Sequence, residues 1–154
     1  MDKMTALRYA PRVLTVASLV LFLASAYNIG VFFTEIFQQE SNVGLVLTQT
    51  PEKGDYNLSL TLRPLNHGFL GVDLSTGLRV LDEGGNVLGQ DSAHTYVPPR
   101  FRRTSTVSVV IPLTSIPDGE IGNMKASVEV TVEVRTLWNL VGFKNVLSIG
   151  SEQP

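Results

Sequence analysis

The chain is expected to fold as an all-β, antiparallel two-sheet sandwich of about seven strands behind one transmembrane α-helix, for three reasons. An apolar run from Val13 to Phe33 contains no Asp, Glu, Lys or Arg. Beyond it, Tyr56 to Arg63 and Ser127 to Arg135 alternate between apolar and polar residues, the period of a half-buried strand. Turn residues punctuate that region at intervals of about eight to twelve residues, and no stretch has the spacing of a soluble amphipathic helix.

The apolar run comes first in the chain. Between Arg12 and Glu35, roughly 22 residues at about 1.5 Å each give a helix of about 33 Å, enough for the hydrocarbon slab. Backbone amides in lipid find no water, so a spanning run must be helical. Lys3, Arg8 and Arg12 precede it while Glu35 and Glu40 follow it, which places the N-terminus in the cytoplasm and the C-terminal body outside. The chain then divides into a basic cytoplasmic tail (1–12), a transmembrane signal anchor (13–34), a stalk (35–42) and an extracytoplasmic sandwich (43–150). Tyr27, Phe32 and Phe33 suit the outer headgroup layer, and Asn28 is solvated if it lies near that boundary. The same residues also satisfy the plan of a cleavable secretory signal, with Ala24-Ser25-Ala26 as the small-residue site, and cleavage after Ala26 would release the body as a secreted protein.

Composition narrows the classes. The chain has 154 residues, so after tail and anchor about 120 remain, enough for one domain with its own core. There is no cysteine, which excludes disulfides, thiolate metal sites and cysteine nucleophiles. From Glu35 onward nine Lys and Arg stand against thirteen Asp and Glu, a mild acidity that argues against nucleic acid as a partner.

The strands follow in order. Val43 to Thr50 reads as a first strand stopped by Pro51 and the turn Glu52-Lys53-Gly54-Asp55, and Tyr56 to Leu62 as a second ended by Pro64. Phe69 to Leu74 and Leu78 to Leu81 are expected as separate pieces, broken near Gly77. Asp82-Glu83-Gly84-Gly85-Asn86 is the strongest hairpin signal, since glycine and asparagine accept the positive φ that tight reversals need. Gln90 to Thr95 is polar, and Pro98-Pro99 fixes an extended or turning link before Arg100, Arg102 and Arg103. Thr104 to Leu113 resumes a strand, with Pro112 marking an edge or an end. The valine strand 127–135 follows a long connection, and Leu137 to Ile149 is the last strand or a pair of short ones. Such a series suits an immunoglobulin or fibronectin-III-like sandwich.

This order of features resembles the LEA14-like or WHy (water stress and hypersensitive response) domain. The resemblance rests on the alternating strand Leu58 to Arg63 running into Pro64-Leu65-Asn66, where that family tends to carry an Asn-Pro-Asn-like corner. It continues through Phe69 to Leu81, the hairpin at Gly84-Gly85, the Val97-Pro98-Pro99 link, Val107 to Leu113 and the valine strand. It implies a noncatalytic, extracytoplasmic or stress-associated binding module, and no catalytic residues.

Candidate sites are few. Pro98-Pro99-Arg100-Phe101-Arg102-Arg103 places three guanidinium groups around a phenyl ring, suited to phosphate or carboxylate on an anionic partner; the alternative is a solvated loop guarding a sheet edge. Trp138, Leu140, Val141 and Phe143 form a second apolar patch, expected to pack as the last strand, with Trp138 and Phe143 otherwise contacting membrane or partner. Asn57-Leu58-Ser59 is a glycosylation sequon. His67 and His94 lack neighbouring ligands at metal spacing, and no serine sits in a nucleophile elbow. Glu129 and Glu133 share a strand face that reads as solvated rather than as a glycosidase pair. The sequence therefore leads to no enzyme, no cofactor and no metal. It leads to a membrane-anchored accessory module with a protein partner in a membrane or envelope complex, the alternative being a structural subunit of a pilus-like filament or surface layer.

Overall fold

The computed structural model describes residues 3–38, 42–50, 54–116 and 126–150. An apolar helix, α1, spans Lys3–Gln38 and is followed by seven strands in two antiparallel sheets, consistent with an immunoglobulin or fibronectin-III-like sandwich. The first sheet orders β1 (Val43–Gln49), β2 (Tyr56–Leu62) and β5 (Ser105–Ile111) as β1-β2-β5. The second contains β3 (Val72–Leu81), β4 (Val87–Val97), β6 (Ser127–Thr136) and β7 (Val141–Gly150), ordered β4-β3-β6-β7.

Alternation in the sequence becomes the core directly. Leu58, Leu60 and Leu62 of β2 and Val107, Val109 and Ile111 of β5 are buried against Val72, Leu74, Leu78 and Val80 of β3 and Val130, Val132 and Val134 of β6. Each such side chain contributes about 1.5–3 kcal/mol of hydrophobic stabilisation. On the outer face of the first sheet, Ser59 pairs with Ser108 at 2.8 Å and Thr61 with Thr106 at 3.3 Å.

The expected break near Gly77 is absent: β3 is one continuous strand, because Gly77 is held on both sides, opposite Ser92 and Thr131. The polar stretch Gln90 to Thr95 lies inside β4. β4 is a sheet edge with much of its surface in water, so it has no apolar alternation to show, and its polarity guards the edge. The hairpin between β3 and β4 falls where Gly84-Gly85 place it, with Gly85 at φ 79. There the Asp82 carboxylate accepts bonds from the Asn86 side chain and backbone, which hold its pKa below the ordinary value.

The two long sides of the sandwich differ. β5 stacks over β4 and β3, and Gly89 lets the backbones approach so closely that a Cβ there would meet Val109. On the opposite side, the edge strands β1 and β7 leave the layers open, and α1 contacts β6 and β7 there.

Candidate functional site

The helix is two things in succession. Every residue from Pro11 to Leu23 is exposed. From there Ser25, Asn28, Ile29, Phe32, Glu35 and Ile36 are buried, a three- and four-residue spacing that puts one helix face into the sandwich core. The helix continues through Glu35 to Gln38, and residues 39–41 lie outside the described set.

Polar clamps fix this docked face. Asn28 is fully buried; its Nδ2 donates to the Leu70 carbonyl at 3.3 Å and its Oδ1 accepts from the Leu70 amide at 3.2 Å. Gly68 provides the space, since a Cβ there would collide with the Asn28 amide. About two helical turns later, the Glu35 carboxylate, 8% exposed, lies 3.3 Å from His67 Nε2 and 3.7 Å from Arg102 Nη2, and accepts from Asn42 Nδ2 at 3.2 Å. A buried charge is tolerated because it is paired and hydrogen-bonded. Buried Asn66 staples the adjoining corner: Nδ2 donates to the Leu70 and Val97 carbonyls at 2.8 and 3.1 Å, and Oδ1 accepts from the Gly68 amide at 3.0 Å.

The arginine loop divides. Arg102 Nη1 donates to Asn42 Oδ1 at 2.6 Å and to the Arg63 carbonyl at 3.0 Å, so this guanidinium ties the loop to the helix junction. Arg100, Phe101 and Arg103 remain exposed, with Arg100 at φ 65.

The C-terminal aromatic patch also divides, and the expectation that Trp138 and Leu140 pack within the last strand is wrong. They belong to the β6–β7 turn and are 89% and 80% exposed. Trp138 and Asn139 have φ 53 and 68, and the Leu140 amide bonds the Leu137 carbonyl at 3.1 Å, closing a left-handed turn. Phe143 lies in β7 and packs edge-on against Phe33, ring centroids 5.0 Å apart. With Phe22, Ala26, Ile29 and Val141 it lines a groove of about 500 Å³ between α1 and β7.

Outside the contacts of α1, the described residues leave the open side incompletely covered. Val43, Leu45 and Leu47 face inward from β1, opposite Leu62, Leu60 and Leu58 of β2, yet stay substantially exposed. Phe143, Leu147 and Ile149 of β7 do the same, opposite Val134, Val130 and Val128 of β6. Among the described residues neither β1 nor β7 has a strand on its outer edge.

The remaining candidates are plainly placed. Glu129 lies 3.5 Å from Arg79 and Glu133 2.6 Å from Arg135 on the outer face of the second sheet. His94 Nε2 is 3.7 Å from Asp73, a carboxylate distant in sequence, as Glu35 is from His67. Among the described residues no three His, Asp or Glu side chains gather as a metal site. Asn57 is half-buried in β2, and its Oδ1 is buried without a hydrogen-bond partner. Sequence reasoning missed Asn28, Glu35, Asn42 and Asn66 as a junction. The uncharged polar residue within the apolar run and the acid just after it were the available signals.

Fold and helix together define a β-sandwich protein with one helix, Pro11–Gln38, long and apolar enough to cross a membrane, as in a single-pass membrane protein. No protein-family model matches the chain, and no curated protein matches it in sequence. Among solved structures it is similar to a protein from Archaeoglobus fulgidus, at 9% identity, TM-score 0.49, covering 71% of this chain and 91% of that one. A glycosyl hydrolase family 2 member from Bacteroides cellulosilyticus gives 9% identity and TM-score 0.47 over 71% of this chain, and a Bacteroides uniformis β-glucuronidase gives 10%, 0.49 and 71%. The chain spans only 14% and 13% of those two enzymes.

Proposed function

We propose that the protein is a noncatalytic accessory module, held outside the membrane by α1, that binds an extended segment of a protein partner in the mouth between β1 and β7. The observation that carries this reading is the mouth itself. Two strand edges, unpaired among the described residues, flank inward-facing Leu45, Leu47, Leu147 and Ile149, which are apolar and incompletely covered. An added strand would satisfy a free edge and drop alternate apolar side chains into the mouth, the mode of β-strand addition. The groove is continuous with the surface that α1 already buries, so the partner's segment belongs to a neighbour in the same membrane or envelope complex. Exposed Arg100 and Arg103 beside Phe101 add a contact for anionic groups on that partner. The order of strands and turns that resembles LEA14-like domains in the sequence is in keeping with a noncatalytic role.

A photo-crosslinking residue at Leu45 or Leu147 in native membranes tests the mouth, with exposed Val110 on the outer face of β5 as the control. The expected result is one and the same partner attached at both mouth positions, absent at Val110 and lost with Ile149→Glu. Equal labelling at all three positions, adducts of the chain with itself, or none would contradict the reading.

A further inference from the structure

The single tryptophan of the chain is also the most exposed large apolar side chain among the described residues, on the turn between β6 and β7. Three consecutive residues, Leu137, Trp138 and Asn139, have positive φ, although only the asparagine favours that region. Backbone strain at an exposed site points toward a contact made there.

The surroundings identify the contact. β7 begins at Val141, directly after the turn, and Val141 and Gly142 line the groove shared with Phe22 and Ala26 of α1. The turn is therefore abreast of helix residues inside the uncharged run Val13 to Phe33. Trp138 and Leu137 also border Leu70 and Tyr96, and Leu70 is bonded to Asn28. Phe69, next to Leu70, is 56% exposed. Phe69, Trp138 and Leu140 thus rim the end of the sandwich from which the free helix leaves.

Length decides what covers this rim. The helix clear of the sandwich, Pro11 to Leu23, is 13 residues or about 20 Å, against about 30 Å of hydrocarbon. Even counting from Lys3, the slab reaches the level of the turn with nothing to spare. An anchored chain therefore has to bring the rim of the sandwich down to the lipid surface.

We propose that Phe69, Trp138 and Leu140 form a membrane seat, inserted at the boundary between headgroups and acyl chains of the bilayer that α1 spans. An indole is suited to that depth because its ring is apolar and its N–H remains wet. The proposal rests on the reading of α1 as the anchor, and continuity with α1 assigns the rim to lipid rather than to a protein. The seat orients the sandwich so that the β1–β7 mouth opens sideways along the membrane.

Full-length protein reconstituted in phosphatidylcholine vesicles tests it with two probes. Trp138 is the only indole, so brominated acyl chains should quench its emission by at least half while aqueous acrylamide quenches it several-fold less than free tryptophan. Because the chain has no cysteine, a spin label at Leu140→Cys should be shielded from an aqueous nickel chelate relative to one at Val87→Cys, near the distal hairpin. Resistance to carbonate extraction with a water-exposed Trp138 and an unshielded Leu140 label would overturn the seat alone. Release by carbonate would overturn the anchor, and the seat with it. Shielding that disappears on dilution in lipid would assign the rim to a second copy of the chain and overturn the lipid contact.

Discussion

Arg102 looks in sequence like one of three equivalent guanidinium groups, yet only this one reaches the helix junction, where it meets Glu35, Asn42 and the Arg63 carbonyl. Two substitutions therefore separate the roles. Arg102→Ser removes a partner from a buried carboxylate and is expected to cost about 1–2 kcal/mol in urea unfolding, less than a fully buried pair because the guanidinium is half in water. Arg100→Ser with Arg103→Ser should leave the midpoint unchanged and weaken retention of an anionic partner. Equal losses of stability from both variants would contradict this division. The distinction was illegible beforehand because each contact joins residues about 40 to 70 positions apart. Trp138 misled for a different reason: an indole among leucine and valine reads as core, and only its place in the β6–β7 turn, 89% exposed, shows otherwise.

At the scale of elements, legibility tracked burial. β2 and β6 each face a core on one side and water on the other, so their period of two could be read directly. β4 could not, because a polar edge strand shows no such period. α1 hid its second role because Ile29, Phe32 and Ile36 of its docked face are apolar like its exposed half, with Ser25, Asn28 and Glu35 marking the change of surroundings. Gly68→Ala tests this docking. The added methyl displaces Asn28 from Leu70, and overpacking of this kind costs about 1–3 kcal/mol. A lowered melting temperature with unchanged β-sheet circular dichroism is expected; an unaltered melting temperature would show that the clamp contributes nothing.

For the whole molecule, the consequence is that the apolar helix and the sandwich share one core. Ile29, Phe32 and Ile36 are as buried as the valines of β6, so the sandwich should not swing on a flexible tether. A fixed orientation is what the proposed binding at the lateral mouth and the proposed lipid seat both require. The measurement that tests this most directly is the distance between spin labels at Thr34→Cys on α1 and Val87→Cys on β4, taken by pulsed electron resonance in nanodiscs. The account expects one distribution as narrow as that between Val87→Cys and Val110→Cys, two positions within the sandwich. A broad or multiple distribution beside a narrow internal reference would contradict it.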